Sequence, residues 1–402
     1  MLTVVVLNGG RGAASLIPAL LDAEGLNVVS VVNAYDDGNS TGEIRRFFTM
    51  LGPSDIRKVQ QLMVPGECAA IAVPLFEYRF PIGCEREEAL SALRSFCDGA
   101  ADVAGLSTEG FAGAPHLRRF LSTFLATLDI LERSSAREFS FSDCSLMNCI
   151  YAGAFIECGR DLEQATRLID RIFRLRGTVL PSSNQNRWLS AVRENSEVLY
   201  SEAEIVELRS NVRIKEIFLT EGAAPRDELA RLPVEEQRQY LAWHHATPAA
   251  SPGVVLALEQ ADIIIYSAGT QHSSLYPTYI SKGVSETIAN NREAVKVFVT
   301  NIGADYETPS YTTADYVNGA YRYLSLGAAS SLAIGDLFST ILVNNGRRKA
   351  DETYVEHDTD ALGALDVPIV MADLESDAAP GKHDGQKLVA AILATYEQMR
   401  LK

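Results

Sequence analysis

Four clusters of residues in this 402-residue chain have the types and spacing to do chemistry. The first is Asn8-Gly9-Gly10-Arg11-Gly12. Residues without side chains let backbone N–H groups approach a ligand, and the N-terminus of a following helix carries partial positive charge, so a phosphate is the natural guest. The run is a near miss of the dinucleotide fingerprint, because Ser15 stands where a third Gly or Ala is usual. A glycine-rich turn with no ligand is the competing reading.

The second cluster is Asn33 to Gly42, which holds the adjacent carboxylates Asp36 and Asp37. These are the candidate catalytic pair. In a dinucleotide-binding site one would hold a ribose hydroxyl, whereas in a phosphoryl-transfer site one would hold magnesium through oxygen ligands. Asp55 is placed to return to the same mouth as a second ligand, although a turn at Asp37-Gly38 and a helix cap at Ser54 or Asp55 fit equally well. The third cluster, Tyr266 to Pro277, repeats the logic of the first with Gly269, Thr270, Ser273 and Ser274. Two phosphate-friendly loops suit a diphosphate, or a nucleotide plus a second substrate; a flexible connector is the alternative. The fourth, Phe141 to Cys149, carries Asn148 among apolar neighbours, where a buried amide needs a partner. Asn184, after Arg176 to Pro181, is a base or sugar contact or a capping turn.

The elements that must position these residues follow from periodicity. Leu2 to Leu7 and Asn27 to Asn33 read as buried strands joined by a helix over Ala13 to Ala23, a right-handed βαβ unit. From Thr41 to about Arg174 the pattern turns helical, with helices expected over Glu85 to Cys97, His116 to Arg133 and Asp161 to Leu175. Strands return at Thr178 to Leu180, Ile214 to Thr220, Asp262 to Tyr266, Lys296 to Thr300, Thr340 to Val343 and Val367 to Met371. The fold class is therefore α/β, a Rossmann-like, doubly wound and mostly parallel sheet. Residues 1–40 and 176–402 form its core, 41–175 a helical insertion or cap, and Leu189 to Glu207 a small β-hairpin. Glu221 to Pro252 and Glu375 to Gln386 read as loops, and Lys387 to Met399 as a closing helix.

Composition bounds the partners. Hydrophobic residues make up 47% of the chain and charged residues 22%, which are globular values. A net charge of -16 opposes broad contact with nucleic acid, whose affinity comes mostly from Lys and Arg on phosphates. Six cysteines in a chain this large, with no C-x-x-C pair, indicate reduced thiols and a cytoplasmic location. The six histidines have no zinc spacing. The sequence carries no signal-peptide pattern and no apolar run of membrane-spanning length, so no membrane contact is expected.

Taken in order, these segments resemble the 2-phospho-L-lactate transferase (CofD-like) family and its relatives, the gluconeogenesis-factor or UDP-sugar-binding proteins. The likeness runs over about residues 3 to 325 and includes Gly9-Gly10-x-Gly12, Asp36-Asp37-Gly38, Pro53 to Arg57, Asn148, Arg176 to Asn184, Ala261 to Ile265, Ser274 to Thr278 and Glu307-Thr308. In the transferase branch, a phospholactate group moves from a guanosine-diphosphate-linked donor to an acceptor hydroxyl with Mg2+. The resemblance gives Asp37 and Asp55 to the metal and both loops to the donor phosphates. In the other branch the pocket binds a UDP-sugar, and the protein regulates carbon metabolism or cell-wall growth. This chain departs from the family at Arg11, at Asp143 to Met147 and at Ser267 to Thr270, all in ligand-facing stretches. A nucleotide-diphosphate-linked small molecule is the expected partner under either branch, homodimerisation stays open, and an NAD-dependent oxidoreductase is the generic fallback from the first βαβ unit.

Overall fold

The computed structural model describes residues 1–10, 12–135, 137–346 and 352–401. In chain order its strands are β1 (Leu2–Asn8), β2 (Leu26–Val32), β3 (Asp102–Val103), β4 (Leu106–Ser107), β5 (Thr178–Pro181), β6 (Trp188–Arg193), β7 (Val198–Leu199), β8 (Ile214–Thr220), β9 (Ile263–Tyr266), β10 (Val295–Val299), β11 (Thr340–Asn344) and β12 (Ile369–Ala372). Seven of them form one parallel sheet in the order β12-β11-β10-β9-β1-β2-β5. The interior strands β1, β9 and β10 are apolar runs because helices cover both faces of a parallel sheet, leaving few positions for polar residues. At the edge, β12 alternates between exposed and half-buried residues.

The α/β, doubly wound reading therefore describes the molecule, and the small antiparallel sheet is also present, in the order β7-β6-β8. Two details differ from expectation. Ile214 to Thr220 lies in the small sheet, antiparallel to β6, and not in the main one. The segment from Tyr200 to Arg213 holds a single six-residue helix, Glu202–Glu207, too little for the crossover that a parallel return requires. The stretch from Glu221 to Pro252 contains helices Arg226–Leu229 and Val234–Trp243. Its prolines start helices instead of breaking them: Pro225 and Pro233 are N-caps, and Pro252 opens the next helix.

Between β2 and β5 the chain is helical apart from the short β3–β4 ladder, with helices at Asn39–Phe48, Ser54–Leu62, Gly66–Glu77, Arg86–Cys97, Ala114–Ser135, Leu146–Glu157 and Leu162–Ile172. Aromatic rings hold this layer together: Phe124 packs against Phe48 at 5.2 Å and Phe139 against Phe47 at 5.3 Å. A buried polar network then orients the helix that carries Asp55. Gln60 donates to Asp170 Oδ1 (2.6 Å), the Val179 N–H donates to Asp170 Oδ2 (3.1 Å), and the Tyr151 hydroxyl donates to Gln60 (2.6 Å). Three helices and β5 thereby share one carboxylate.

Burial pushes the Asp170 carboxyl up to about 7, against partial relief from the Val179 N–H and Gln60. A carboxyl that binds its proton more tightly in the folded state than in the unfolded chain, where its value is about 4, stabilises the fold most below that value. This contribution declines as pH rises through about 4 to 7. Asp170→Asn should flatten the dependence of thermal midpoint on pH across that window, and should cost about 1–3 kcal/mol because an amide cannot accept from both donors. An unchanged slope in calorimetric scans would assign the dependence to another group.

Candidate functional site

The strands fan out in two directions from the centre of the sheet. From β1 the chain steps outward through β2 to β5, and from β9 it steps the other way through β10 and β11 to β12. The connections after β1 and β9 therefore diverge and leave a crevice at the carboxyl ends of the strands, where open α/β sheets take their ligands. The two glycine- and serine-rich loops occupy this crevice and touch each other. A Cβ on Gly12 would lie 2.5 Å from the carbonyl oxygen of Ala268. The Ser267 N–H donates to Leu7 O at 3.0 Å, and Asn301 bonds both the N–H and the carbonyl of Gly269.

Above the loops is a cavity of about 930 Å3, within the range of small-molecule sites. Gly9, Gly10, Gly12, Asp36, Asp55, Gly269, Thr270, Ser273 and Ser274 all line it. Arg11 lies outside the described residues. Other expected residues are placed elsewhere. The Asp37 carboxylate accepts from the Ala203 N–H (2.9 Å), and its own N–H donates to Glu202 (3.3 Å), so it anchors helix Glu202–Glu207 and is absent from the cavity wall. Its neighbour Asp36 folds back to accept from the Gly38 N–H (3.0 Å) and lines the cavity. Asn148 is buried and donates to Ser40 (3.0 Å). Asn184 accepts from the Glu163 N–H (2.9 Å) and donates to Asp161 (3.1 Å), which is a capping role.

Several wall residues escaped the sequence reading. Lys58, one helical turn after Asp55, pairs with it at 2.7 Å. Glu202 arrives from the small antiparallel sheet's helix, and Asp305 and Glu307 from the loop after β10. The far wall comes from the loop after β12, including Ser376, Gly381, Lys382 and His383. That loop reaches inward because the closing helix, Gly385–Arg400, packs on helix Leu16–Asp22 so closely that a Cβ on Gly385 would lie 2.1 Å from Ser15 O. A usable signal existed for both loops, since each follows a strand at the carboxyl edge of the sheet.

The electrostatics are dominated by buried acid. Desolvation raises Glu202 well above the carboxylate range, with Asp36 and Asp37 adding to the effect. It pushes Glu307 up to about 7, with Asp305 contributing, while Ser273 opposes the shift by donating its N–H (2.9 Å) and its hydroxyl. Glu307 thus pins the second loop. Burial brings His383 down to about 4, so its imidazole is neutral near pH 7. Among the described residues, no three His, Cys, Asp or Glu side chains are grouped to hold a metal by themselves. A magnesium ion shared with phosphate oxygens needs one or two carboxylates, and Asp36 and Asp55 are the wall residues of that chemistry. All six cysteines are free, and no described helix is long and apolar enough to cross a membrane.

A doubly wound sheet with a glycine-loop cavity at its switch point defines a nucleotide-binding class of fold. The chain matches the family described as 2-phospho-L-lactate transferase CofD over residues 4–375, and it belongs to that family. A gluconeogenesis factor of Halalkalibacterium halodurans is 23% identical over 394 residues, spanning 97% of this chain and 95% of the relative. A gluconeogenesis factor of Listeria innocua is 23% identical over 393 residues, spanning 97% and 94%. A crystal structure of a Bacillus halodurans protein of the UPF0052 family superposes with a TM-score of 0.66 at 22% identity, covering 98% of this chain and 99% of that one. The fold is shared with it.

Gly12→Ala tests the loop contact. Its Cβ would meet backbone, which cannot rotate aside, so we expect a loss of about 1–3 kcal/mol together with weaker ligand binding. A variant as stable as the parent in urea titration would mean that the loops do not meet in this way.

Proposed function

We propose that this chain binds a nucleotide-diphosphate-linked small molecule in the switch-point cavity and acts as a ligand-responsive regulator, in keeping with the gluconeogenesis-factor name of its relatives. The observation that carries this reading is the pair of touching glycine- and serine-rich loops at the carboxyl ends of β1 and β9, walling a cavity of about 930 Å3. Backbone N–H groups there can face phosphate oxygens without a side chain intervening. Carbon metabolism or cell-wall growth is the process such a regulator would serve. Neither role needs a reaction at the site.

A second reading, a transferase moving a phospholactate-type group to an acceptor hydroxyl, is favoured by one feature. Asp36 and Asp55 share the wall with Lys58, and a bound magnesium ion would neutralise charge on the phosphates there. Asp37 is better suited to holding helix Glu202–Glu207 than to the metal, because Ala203 already occupies its carboxylate.

Calorimetry with UDP-N-acetylglucosamine, GDP and NAD, each with and without Mg2+, separates these readings. The regulator reading expects UDP-sugar binding without turnover, and the transferase reading expects release of GMP from a guanosine-linked phospholactate donor. Asp36→Asn and Asp55→Asn should each remove the magnesium-dependent part of the affinity, about tenfold for a lost charge contact. Asp37→Asn should lower stability and leave that part in place. Binding of NAD in preference to both diphosphate ligands would overturn the proposal.

A further inference from the structure

The cavity is polar along most of its wall, yet one side of its mouth is apolar and aromatic. Val206 lines the cavity while remaining 49% exposed, and Leu208 beside it is 44% exposed. Across from this rim, Tyr306 sits in the chain between the wall residues Asp305 and Glu307 and is 65% exposed. The Arg209 guanidinium lies 3.9 Å from the centroid of the Tyr306 ring. That contact joins the segment following helix Glu202–Glu207 to the loop following β10 at the entrance. A tyrosine left this open beside a ligand cavity forgoes the burial that would ordinarily stabilise it.

The position of this ring relative to the loops is defined by the chain. Glu307, the next residue, takes the N–H and hydroxyl of Ser273 in the second loop. Asn301, at the start of the same segment, holds Gly269 of that loop. The exposed ring is thus tethered through short covalent paths to the loop that would face the phosphates. A group seated on it would be the part of a ligand just beyond its diphosphate.

We propose that Tyr306, with Arg209 stacked on its ring and Val206 on the facing rim, is the platform for the base of the bound nucleotide. The inference rests on the diphosphate reading above and extends it to the base. A flat π-surface with a cation behind it attracts any heteroaromatic ring, and stacking of this kind tolerates every base. The site therefore holds purine and pyrimidine nucleotides by the same contact, and discrimination between them has to come from elsewhere in the cavity.

Calorimetry of the full chain with Mg2+ tests this, using GDP and UDP as ring-bearing probes and inorganic pyrophosphate as the ring-free probe. Tyr306→Ala should weaken GDP and UDP by about tenfold each and leave pyrophosphate unchanged, while Tyr306→Phe should bind like the parent. The residue is exposed, so neither substitution threatens folding. Equal affinity of the parent and Tyr306→Ala for both nucleotides overturns the platform. So does a parent that binds pyrophosphate as tightly as the nucleotides, and in that outcome the diphosphate reading survives. A parent that binds none of the three overturns both. Loss of self-association in Tyr306→Ala, with nucleotide affinity unchanged, would reassign the apolar rim to a second copy of the chain and also overturn the platform.

Discussion

The backbone of Gly12 meets the backbone of Ala268 and Gly269 with no room for a Cβ between them. Most of what makes this molecule a candidate binding protein depends on that contact. Strands β1 and β9 are neighbours in the sheet, but their following connections depart in opposite directions, and the glycine lets the two loops close over the gap instead of holding it apart. Asn301 and Glu307 then fasten the second loop from the β10 side, while Asn33 holds Ser273 O from the β2 side at 2.7 Å. The phosphate-friendly loops form one surface because three strand ends converge on them.

Around this surface the charge balance is unusual for an anion site. Carboxylates from four separate segments line the cavity, and Lys58 is already paired with Asp55. Burial suppresses part of that charge, since Glu202 and Glu307 are both held above the ordinary carboxylate range. The remaining acids favour a ligand that arrives with a divalent cation or presents hydroxyl donors. Helix Glu202–Glu207 matters here twice: it contributes Glu202 to the wall, and it engages Asp37 through the Ala203 N–H. One short helix from the small sheet thus decides which of two adjacent carboxylates is available to a ligand.

The helical layer between β2 and β5 acts at longer range. Its helix Ser54–Leu62 carries Asp55 and Lys58 at one end and Gln60 at the other, and Gln60 is locked to Asp170 and Tyr151 in the interior. A satisfied buried network of this kind specifies one arrangement, because any slip would leave a carboxyl without donors in a low-dielectric interior. The placement of the outer wall residues is therefore set by hydrogen bonds made well away from the cavity.

Residues close in sequence determined a great deal. The β-branched runs of β1, β2, β9 and β10, the glycines and serines that end two of them, and the helical periodicity between β2 and β5 encode the sheet class and both loops, since each is a local pattern of period or flexibility. Tertiary structure decided what local pattern cannot carry. Asp36 and Asp37 are indistinguishable as neighbours, and only the arrival of Ala203 from a distant segment separates their roles. Ile214 to Thr220 has the composition of a main-sheet strand, and the shortness of the connection before it sends it into the small sheet. The far wall around Gly381 to His383 reaches the site because the closing helix packs against the first one. The physical reason is the same in each case: periodicity and turn chemistry act over a few residues, whereas the direction of a side chain in a cavity depends on which remote donor or surface claims it first.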